Sequence, residues 1–247
     1  MNDITLLRTH MEDLAKKAQN AGMAHSKFLT ANEAAEVAQG YRSRTDVALV
    51  FDGGFAEAER RVAVFLQPDW GFYEPGEVLA GLVLRHREQD TVRHQDVLGS
   101  VLGLGLSRDV LGDIFVEPGK ASVACLASIA DFIAAELQKV GRVGIEVRRV
   151  DVAELPEISS VLTEKELTVA SLRLDAVTAA ALQLSRADAC EVIQSGKLQV
   201  NHRECLNISQ PVEEGAILSV RGRGRFKLLS VRGETRKGRR KITVGFY

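Results

Sequence analysis

The run from Arg173 to Leu228 constrains the fold more than any other part of this 247-residue chain. Its first apolar residues recur at helical spacing, which predicts a short helix with one buried face. The apolar positions of that helix are Leu174, Val177, Ala181 and Leu184. Asp175 stands where an N-cap carboxylate is expected, so we interpret it as the cap of this helix.

A second helix and a strand follow at once. Ser185 is suited to an N-cap, and Asp188 lies three residues further on, which predicts the start of a helix. Gly196 is suited to the left-handed residue that ends this helix. Leu198 and Val200 then alternate with polar neighbours, as in a half-buried strand. The order of these signals predicts a small α+β module.

This pattern resembles the small RNA-binding domain first seen in the fourth protein of the small ribosomal subunit, here called the S-four-type domain. The resemblance lies in Arg173–Asp175, in Ser185 and Arg186, and in the run 196–201, with further matches in 212–220. His202 and Ala216 replace the Gly and Asp that the family usually has in its two turns. The resemblance implies binding of structured RNA, and the implied contacts are Arg173, Ser185, Arg186, Ala189, Lys197 and Asn201.

Basic residues are concentrated at the end of the same module. If residues 221–227 form a strand, the period of two places four basic residues on one face. These residues are Arg221, Arg223, Arg225 and Lys227. A second basic cluster follows at Arg236, Lys237, Arg239, Arg240 and Lys241. Four like charges on one strand face are poorly explained by packing, so we expect them to contact RNA phosphates.

The formal net charge of −1 conceals an asymmetry between the two ends of the chain. Residues 173–247 contain 14 Lys and Arg against 7 Asp and Glu, whereas residues 1–172 contain 18 against 26. A basic tail can serve solubility alone, but this charge coincides with a patterned segment. We therefore expect a nucleic acid to bind at the carboxyl-terminal end.

The remaining composition is ordinary for a globular protein and disfavours several classes. There is no apolar run of about 18 residues and no signal-peptide pattern, so we expect no membrane partner. Cys125, Cys190 and Cys205 form no C-x-x-C pair, which argues against a disulfide framework and favours a reducing cytoplasm. The histidines show no metal-binding spacing, and we expect neither a metal nor a cofactor.

The chain divides into four stretches. Residues 1–44 predict a helical segment. Residues 45–150 mix strands and helices, and predict an α+β middle domain of ferredoxin-like or RNA-recognition-like topology. Residues 151–171 contain a proline and several acidic residues, and predict an exposed linker. Residues 172–247 are the S-four-type module with its basic tail.

The middle domain resembles the central domain of YlmH-like bacterial proteins. The resemblance lies in the sequence segments 94–100, 103–105, 111–114 and 139–142, and in Gly222–Phe226 of the module. Together with the module, the resemblance covers nearly the whole chain. It implies an RNA-binding protein, because relatives with the same module act on large ribosomal subunits during the rescue of stalled translation.

The glycine-rich segment 98–105 raises the question of a cofactor. A dinucleotide fingerprint needs G-x-G-x-x-G directly after a buried strand, whereas these glycines lie inside a helical pattern. Close helix packing, or a helix end at Gly103 or Gly105, explains them better. Arg173–Asp175 is also similar to the aspartate motif of pseudouridine synthases, but here the aspartate belongs to the module itself.

The sequence therefore predicts a non-catalytic protein that binds structured RNA, ribosomal RNA or tRNA, on ribosomal particles. We expect the large subunit as the partner and no specific DNA. The alternative is an RNA-modifying enzyme, similar to a pseudouridine synthase or a methyltransferase, with its site in the middle domain. An enzyme requires a concave pocket with converging polar groups, whereas a binding protein requires a continuous basic surface.

Overall fold

The computed structural model describes residues 3–70, 72–157, 162–201, 203–235 and 238–247. The chain divides into two compact units, Met1–Ser159 and Ser160–Tyr247. Both units combine helices with antiparallel sheets, which confirms the predicted α+β class.

The amino-terminal layer of the first unit places two helices on a three-stranded sheet. Its elements are α1 (Asp3–Ala21), β1 (Met23–Leu29), α2 (Ala31–Tyr41), β2 (Ala48–Asp52) and β3 (Arg61–Leu66), and the sheet order is β1-β3-β2. Thr30 and Glu33 form a capping box at the start of α2. The Thr30 hydroxyl accepts from the Glu33 amide at 3.3 Å, and the Glu33 carboxylate accepts from the Thr30 amide at 2.7 Å. The layer therefore contains the helices expected in residues 1–44, together with a strand that the sequence did not reveal.

Strands β2 and β3 differ from expectation in their partners, because β3 pairs with β1 and β2 pairs with β3, so neither belongs to the sheet of the middle domain. Strand β3 is buried on both faces. Ala63 and Phe65 pack with the two helices, whereas Val62 and Val64 join the core of the next layer. A strand covered on both sides is a continuous apolar run, and such a run does not reveal which strand it pairs with.

The rest of the first unit has the ferredoxin-like topology that the sequence predicts. Its main elements are β4 (Leu79–Arg85), α3 (His94–Leu102), β5 (Leu111–Glu117), β6 (Lys120–Leu126), α4 (Ala127–Glu136) and β9 (Glu146–Val150). A small hairpin, β7 (Lys139–Val140) and β8 (Val143–Gly144), precedes the last strand. The sheet order β5-β6-β4-β9, antiparallel throughout, is that of a β-α-β-β-α-β fold.

Both faces of this sheet are covered at its centre. Helices α3 and α4 cover one face. On the other face, a Cβ added at Gly112 would lie 2.6 Å from the Phe28 ring of β1, and one added at Gly81 would lie 2.9 Å from the Leu155 side chain. Val152 and Leu155, which the sequence assigned to the linker, are only 8% and 7% exposed. This stretch therefore belongs to the core of the first unit.

The second unit is a six-stranded antiparallel sheet with two helices on one face. Its elements are β10 (Thr163–Val169), α5 (Leu174–Leu182), α6 (Arg186–Gln194), β11 (Leu198–Val200), β12 (Arg203–Glu204), β13 (Ile217–Val220), β14 (Gly224–Glu234) and β15 (Arg240–Phe246). The strand order is β10-β15-β14-β13-β11-β12. Leu174 and Ile193 of the helices pack on Leu218, Phe226 and Leu228 of the sheet, all at 0% exposure. Strand β10, which falls in the predicted linker, is an edge strand paired with β15.

Across the described stretches, none of the helices has the length and apolarity that crossing a membrane would require.

Candidate RNA interface

Asp175 is not the cap of α5 but a buried partner of two arginines. The N-cap position is Arg173, so Asp175 lies inside the first turn, and it is 3% exposed. Its Oδ1 accepts from Arg173 Nε at 3.2 Å, and its Oδ2 accepts from Arg186 Nη2 at 3.0 Å. Burial alone would raise the pKa of Asp175, but the hydrogen bonds from Arg173 and Arg186 outweigh it and lower the pKa.

This arrangement, which we call the arginine pair, brings two predicted contacts together at the start of the helices. The side chains of Arg173 and Arg186 remain 40% and 53% exposed, whereas the carboxylate beneath them is buried. Two guanidinium groups over one carboxylate leave one net positive charge, with N–H groups that can donate to a phosphate.

Ser185 and Ala189 have structural roles on α6. The Ser185 hydroxyl accepts from the Asp188 amide at 3.1 Å, so it caps the helix as predicted from its spacing. Ala189 is 0% exposed and packs beneath the helix, so it cannot reach a ligand. The resemblance included Ala189 among the contacts, and the structure corrects this because the small side chain is needed for helix packing.

Lys197 lies beyond the far end of α6, away from the arginine pair. The nine residues of α6 span roughly 13 Å at the usual helical rise. The Lys197 carbonyl accepts from the Arg221 amide at 2.9 Å, so the two basic residues are neighbours. Asn201, at φ 48°, holds the following turn, because its Oδ1 accepts from the Ile217 amide at 2.8 Å.

The predicted basic strand face is wrong for half of its members. Arg221 and Arg223 lie in the turn that joins β13 to β14, where Val220 pairs with Gly224 and Gly222 adopts φ 78°. Only Arg225 and Lys227 lie on strand β14, opposite the buried Phe226 and Leu228. The run of alternating glycine and arginine fits both a strand and a glycine turn, and the pairing of the two strands decides for the turn.

Five basic residues near this turn form what we call the hairpin cluster, and most of them carry uncompensated charge. They are Lys197, Arg221, Arg223, Arg225 and Lys227. The sequence 215–231 contains no Asp or Glu. Within the described parts of the chain, no ion pair joins Lys197, Arg221, Arg223 or Lys227 to a carboxylate.

The second basic cluster lies at the opposite end of β14. Its described arginines, Arg239 and Arg240, have partners within the protein. Strand β14 has 11 residues and spans roughly 36 Å. Arg240 pairs with Glu234 at 3.2 Å, and Arg232 pairs with Glu166 at 2.8 Å. Arg239 donates to the Thr168 carbonyl at 3.1 Å. Arg236 and Lys237 lie outside the described residues.

The middle domain has few uncompensated cations. Residues 86–154 contain 8 Lys and Arg against 11 Asp and Glu. Four of the cations form ion pairs: Arg93 with Asp96, Lys120 with Glu117, Arg148 with Glu154 and Arg149 with Asp131. Arg108 donates to the carbonyls of Leu111 and Gly112, and burial lowers its pKa. Arg87, Lys139 and Arg142 form no ion pair among the described residues.

Two of these three cations share the small hairpin β7–β8, which packs on α3. Lys139 and Arg142 are exposed and flank Gly141, where an added Cβ would meet nothing within 4 Å. The Gly141 amide donates to the Ser100 hydroxyl of α3 at 3.1 Å. The sequence segments 94–100 and 139–142 are therefore in contact in the structure. Lys139 and Arg142 are not among the contacts expected from the sequence, although the run 139–142 contains both.

Asp113 and an acidic cavity are further polar features of the first unit. Asp113 accepts from the amides of Glu59 and Arg60 at 2.6 and 3.3 Å, which fixes the loop before β3. Burial raises the pKa of Asp113 despite these bonds. A cavity of about 560 Å³ is lined by Asp52, Glu74, Glu77 and Asp151, among other residues. Where the chain is described, no three His, Cys, Asp or Glu residues are grouped to hold a metal ion.

The fold and the two basic hairpins define an α+β protein with a ferredoxin-like domain and a separate cationic module. Residues 86–154 match the family model described as "Putative RNA-binding domain in YlmH". The "Ribosome-associated protein quality control protein P2" of Bacillus subtilis (strain 168) is 33% identical over 206 residues, which cover 81% of this chain and 78% of that protein. With this extent of similarity, the chain belongs to the YlmH family.

Among solved structures, the fold is similar to "Cell division protein ylmH from Streptococcus pneumoniae". The TM-score is 0.49 at 20% identity, and the match covers 62% of this chain and 94% of that one.

Proposed function

We propose that this protein binds structured RNA on ribosomal particles through its carboxyl-terminal module. The observation that carries the proposal is the hairpin cluster, in which four cations have no carboxylate partner among the described residues. Uncompensated cations on a turn are available to phosphates, and their contacts release counterions from the nucleic acid.

The module acts in this proposal as an S-four-type domain with two contact regions. The arginine pair donates to phosphates at the start of the helices, and the hairpin cluster does so at their far end. Phosphate contacts supply affinity, whereas the shape of the folded RNA supplies selectivity. The name of the Bacillus relative supports a ribosomal particle as the place of binding. We propose ribosomal RNA or tRNA on the large subunit as the target, in the cytoplasm.

The middle domain supplies a second RNA surface at the hairpin β7–β8. Many RNA-recognition domains bind bases on the open face of their sheet. Here Phe28 and Leu155 cover that face of the sheet, so bases cannot bind on it in the same way. The matched family model supports RNA binding by this domain, and Lys139 and Arg142 are two exposed cations that lie together on its surface.

The cavity of about 560 Å³ in the first unit does not favour a catalytic role in RNA modification. Such an enzyme needs a concave site that accepts a polyanion. The cavity of about 560 Å³ is lined by four carboxylates and no lysine or arginine, and these would repel the phosphate backbone. We therefore propose binding without chemistry.

A salt titration with a paired set of variants tests the proposal. Arg221→Gln with Arg223→Gln removes two uncompensated cations. The negative slope of log affinity against log salt should therefore become shallower by about 1.4–1.8 for a structured RNA. Fluorescence anisotropy with labelled tRNA measures this slope. The matched control is Arg232→Gln with Arg240→Gln, which removes two ion-paired cations from the same strand region and should change the slope much less. Equal slopes for the two double variants would contradict the proposal.

A further inference from the structure

The second unit has a polar row on the sheet face that its helices do not cover. Phe226 points toward the helices, so Arg225 points to the outer face by strand alternation. Arg225 pairs in register with Ser219, and Ser219 pairs with Gln199. Paired residues lie on the same face, so these three side chains form one row across β11, β13 and β14.

Tyr247 extends this row by one more strand. Phe246 packs on Phe226 with ring centroids 5.7 Å apart, so Phe246 lies on the helix side and Tyr247 on the outer side. The Tyr247 amide donates to the Arg225 carbonyl at 3.3 Å. The Arg225 guanidinium lies over the Tyr247 ring, 5.0 Å from its centroid, and Tyr247 remains 49% exposed.

The chemistry of this row differs from that of a surface for duplex RNA. Aromatic rings and guanidinium planes stack on nucleobases, and bases are available for stacking only when they are unpaired. The hydroxyl of Ser219 and the amide of Gln199 can hydrogen-bond to base edges. Lys227 lies on the same face, and two other cations of the hairpin cluster, Arg221 and Arg223, lie in the adjoining turn.

Carboxylates lie toward both ends of this face in the strand register. Glu204 of β12 pairs with Gln199 at the β11 end of the row, three strands away from Arg225. On the other side, Glu164 of β10 pairs with Gly245, and Gly245 pairs with Lys227. Glu164 is therefore two strands from Lys227, about 10 Å away. The part of the outer face around β14 thus combines an aromatic ring, a stacked guanidinium and Lys227, which forms no ion pair among the described residues.

We propose that this outer face binds unpaired nucleotides of RNA and that one base stacks on Tyr247. The inference rests on the proposed function and deepens it. The arginine pair and the turn contact phosphates of folded RNA, whereas the outer face selects RNA in which single-stranded nucleotides adjoin a helix.

The test uses the full chain and two RNA probes. One probe is a short unstructured oligoadenylate that contains the fluorescent analogue 2-aminopurine, and the other is a blunt RNA duplex. Tyr247→Ala should weaken binding of the unpaired probe roughly 5- to 150-fold and abolish the quenching of 2-aminopurine that stacking causes. Binding of the duplex should not change.

Two further variants separate stacking from other causes. Tyr247→Phe keeps the ring and should retain the affinity and the quenching. Phe72→Ala removes an aromatic side chain that is 76% exposed in the first unit, and it should have no effect on either probe. Thermal unfolding of each variant checks that the fold is retained.

The outcomes distinguish the two proposals. If Tyr247→Ala binds the unpaired probe as tightly as the wild-type protein does, while the duplex still binds, the outer face is not a nucleotide site. If the wild-type protein binds the duplex but not the unpaired probe, this inference fails alone. If it binds neither of these probes nor labelled tRNA, the proposed function fails as well.

Discussion

Single residues show where sequence reasoning reaches its limit. Ser185 and Gly196 could be predicted, because an N-cap and a left-handed helix end depend on the local chain alone. The role of Asp175 could not, since one of its partners, Arg186, lies 11 residues further along the chain. Ala189 was misjudged for the same reason, because burial depends on tertiary packing. Residue type indicates polarity, but only the fold determines the partner.

Replacement of Asp175 by Asn tests the importance of the arginine pair for stability. The pKa of Asp175 is lowered in the folded state, so its ionised form stabilises the fold above the unfolded value of about 4. This contribution is lost as the pH falls through the lower, folded pKa. Asp175→Asn should reduce the free energy of unfolding by about 1–3 kcal/mol at neutral pH.

The difference in the free energy of unfolding between Asp175→Asn and the wild-type protein should become smaller as the pH falls below about 4. At that pH the wild-type carboxyl becomes protonated and is uncharged, like the amide of Asn. Urea denaturation at a series of pH values measures this. Glu191→Gln, an exposed change on α6, is the control and should show little pH-dependent loss. A difference that stays constant down to the lowest pH would show that the carboxylate charge is not responsible.

At the scale of elements, periodicity identified most helices and strands but not the pairing of strands. The amphipathic helices and the β-branched runs are local signals, so the sequence indicates where they lie. Strand β1 could not be predicted, because the segment 23–29 is short and mixed in polarity and lies between two helical patterns. The turn at 221–223 could not be predicted, because alternating Gly and Arg also fits the two-residue period of a strand. The positive φ of Gly222 and Gly224 shows that these glycines serve a turn.

The hairpin β7–β8 offers a prediction at this scale. Lys139→Gln with Arg142→Gln removes the two exposed cations that flank Gly141, and it should lower the salt slope for structured RNA by about 1.4–1.8 if both contact phosphates. The fold should be retained, because neither cation forms an ion pair among the described residues. Anisotropy measures the slope.

Lys120→Gln with Arg149→Gln is the control for this hairpin, since both residues belong to the same domain and are ion-paired. Full retention of the salt slope in the Lys139 and Arg142 variant would place the RNA surface of the middle domain elsewhere.

At the scale of the whole molecule, charge is divided between the two units. Residues 160–247 contain 15 Lys and Arg against 9 Asp and Glu, whereas residues 1–159 contain 17 against 24. The sequence revealed this asymmetry, because charge counts need no structure. It did not reveal that residues 152–155 belong to the first core and that 163–169 complete the second sheet, because both facts depend on long-range packing.

Separate expression of the two units tests this division. Each unit has its own hydrophobic core, so residues 1–159 and 160–247 should each unfold cooperatively when expressed alone. Circular dichroism with heating measures this. The smaller unit should retain most of the salt-dependent affinity for structured RNA. If that affinity is found in the larger unit alone, the assignment of the main RNA surface to the module is wrong.

The shared carboxylate beneath Arg173 and Arg186 has a consequence for how binding begins. Arginine side chains are long, and fixing them in a complex usually costs conformational entropy. Here Asp175 already restrains both guanidinium groups before any ligand arrives. An incoming phosphate therefore meets a preorganised clamp, and less of the binding energy is consumed in ordering the protein.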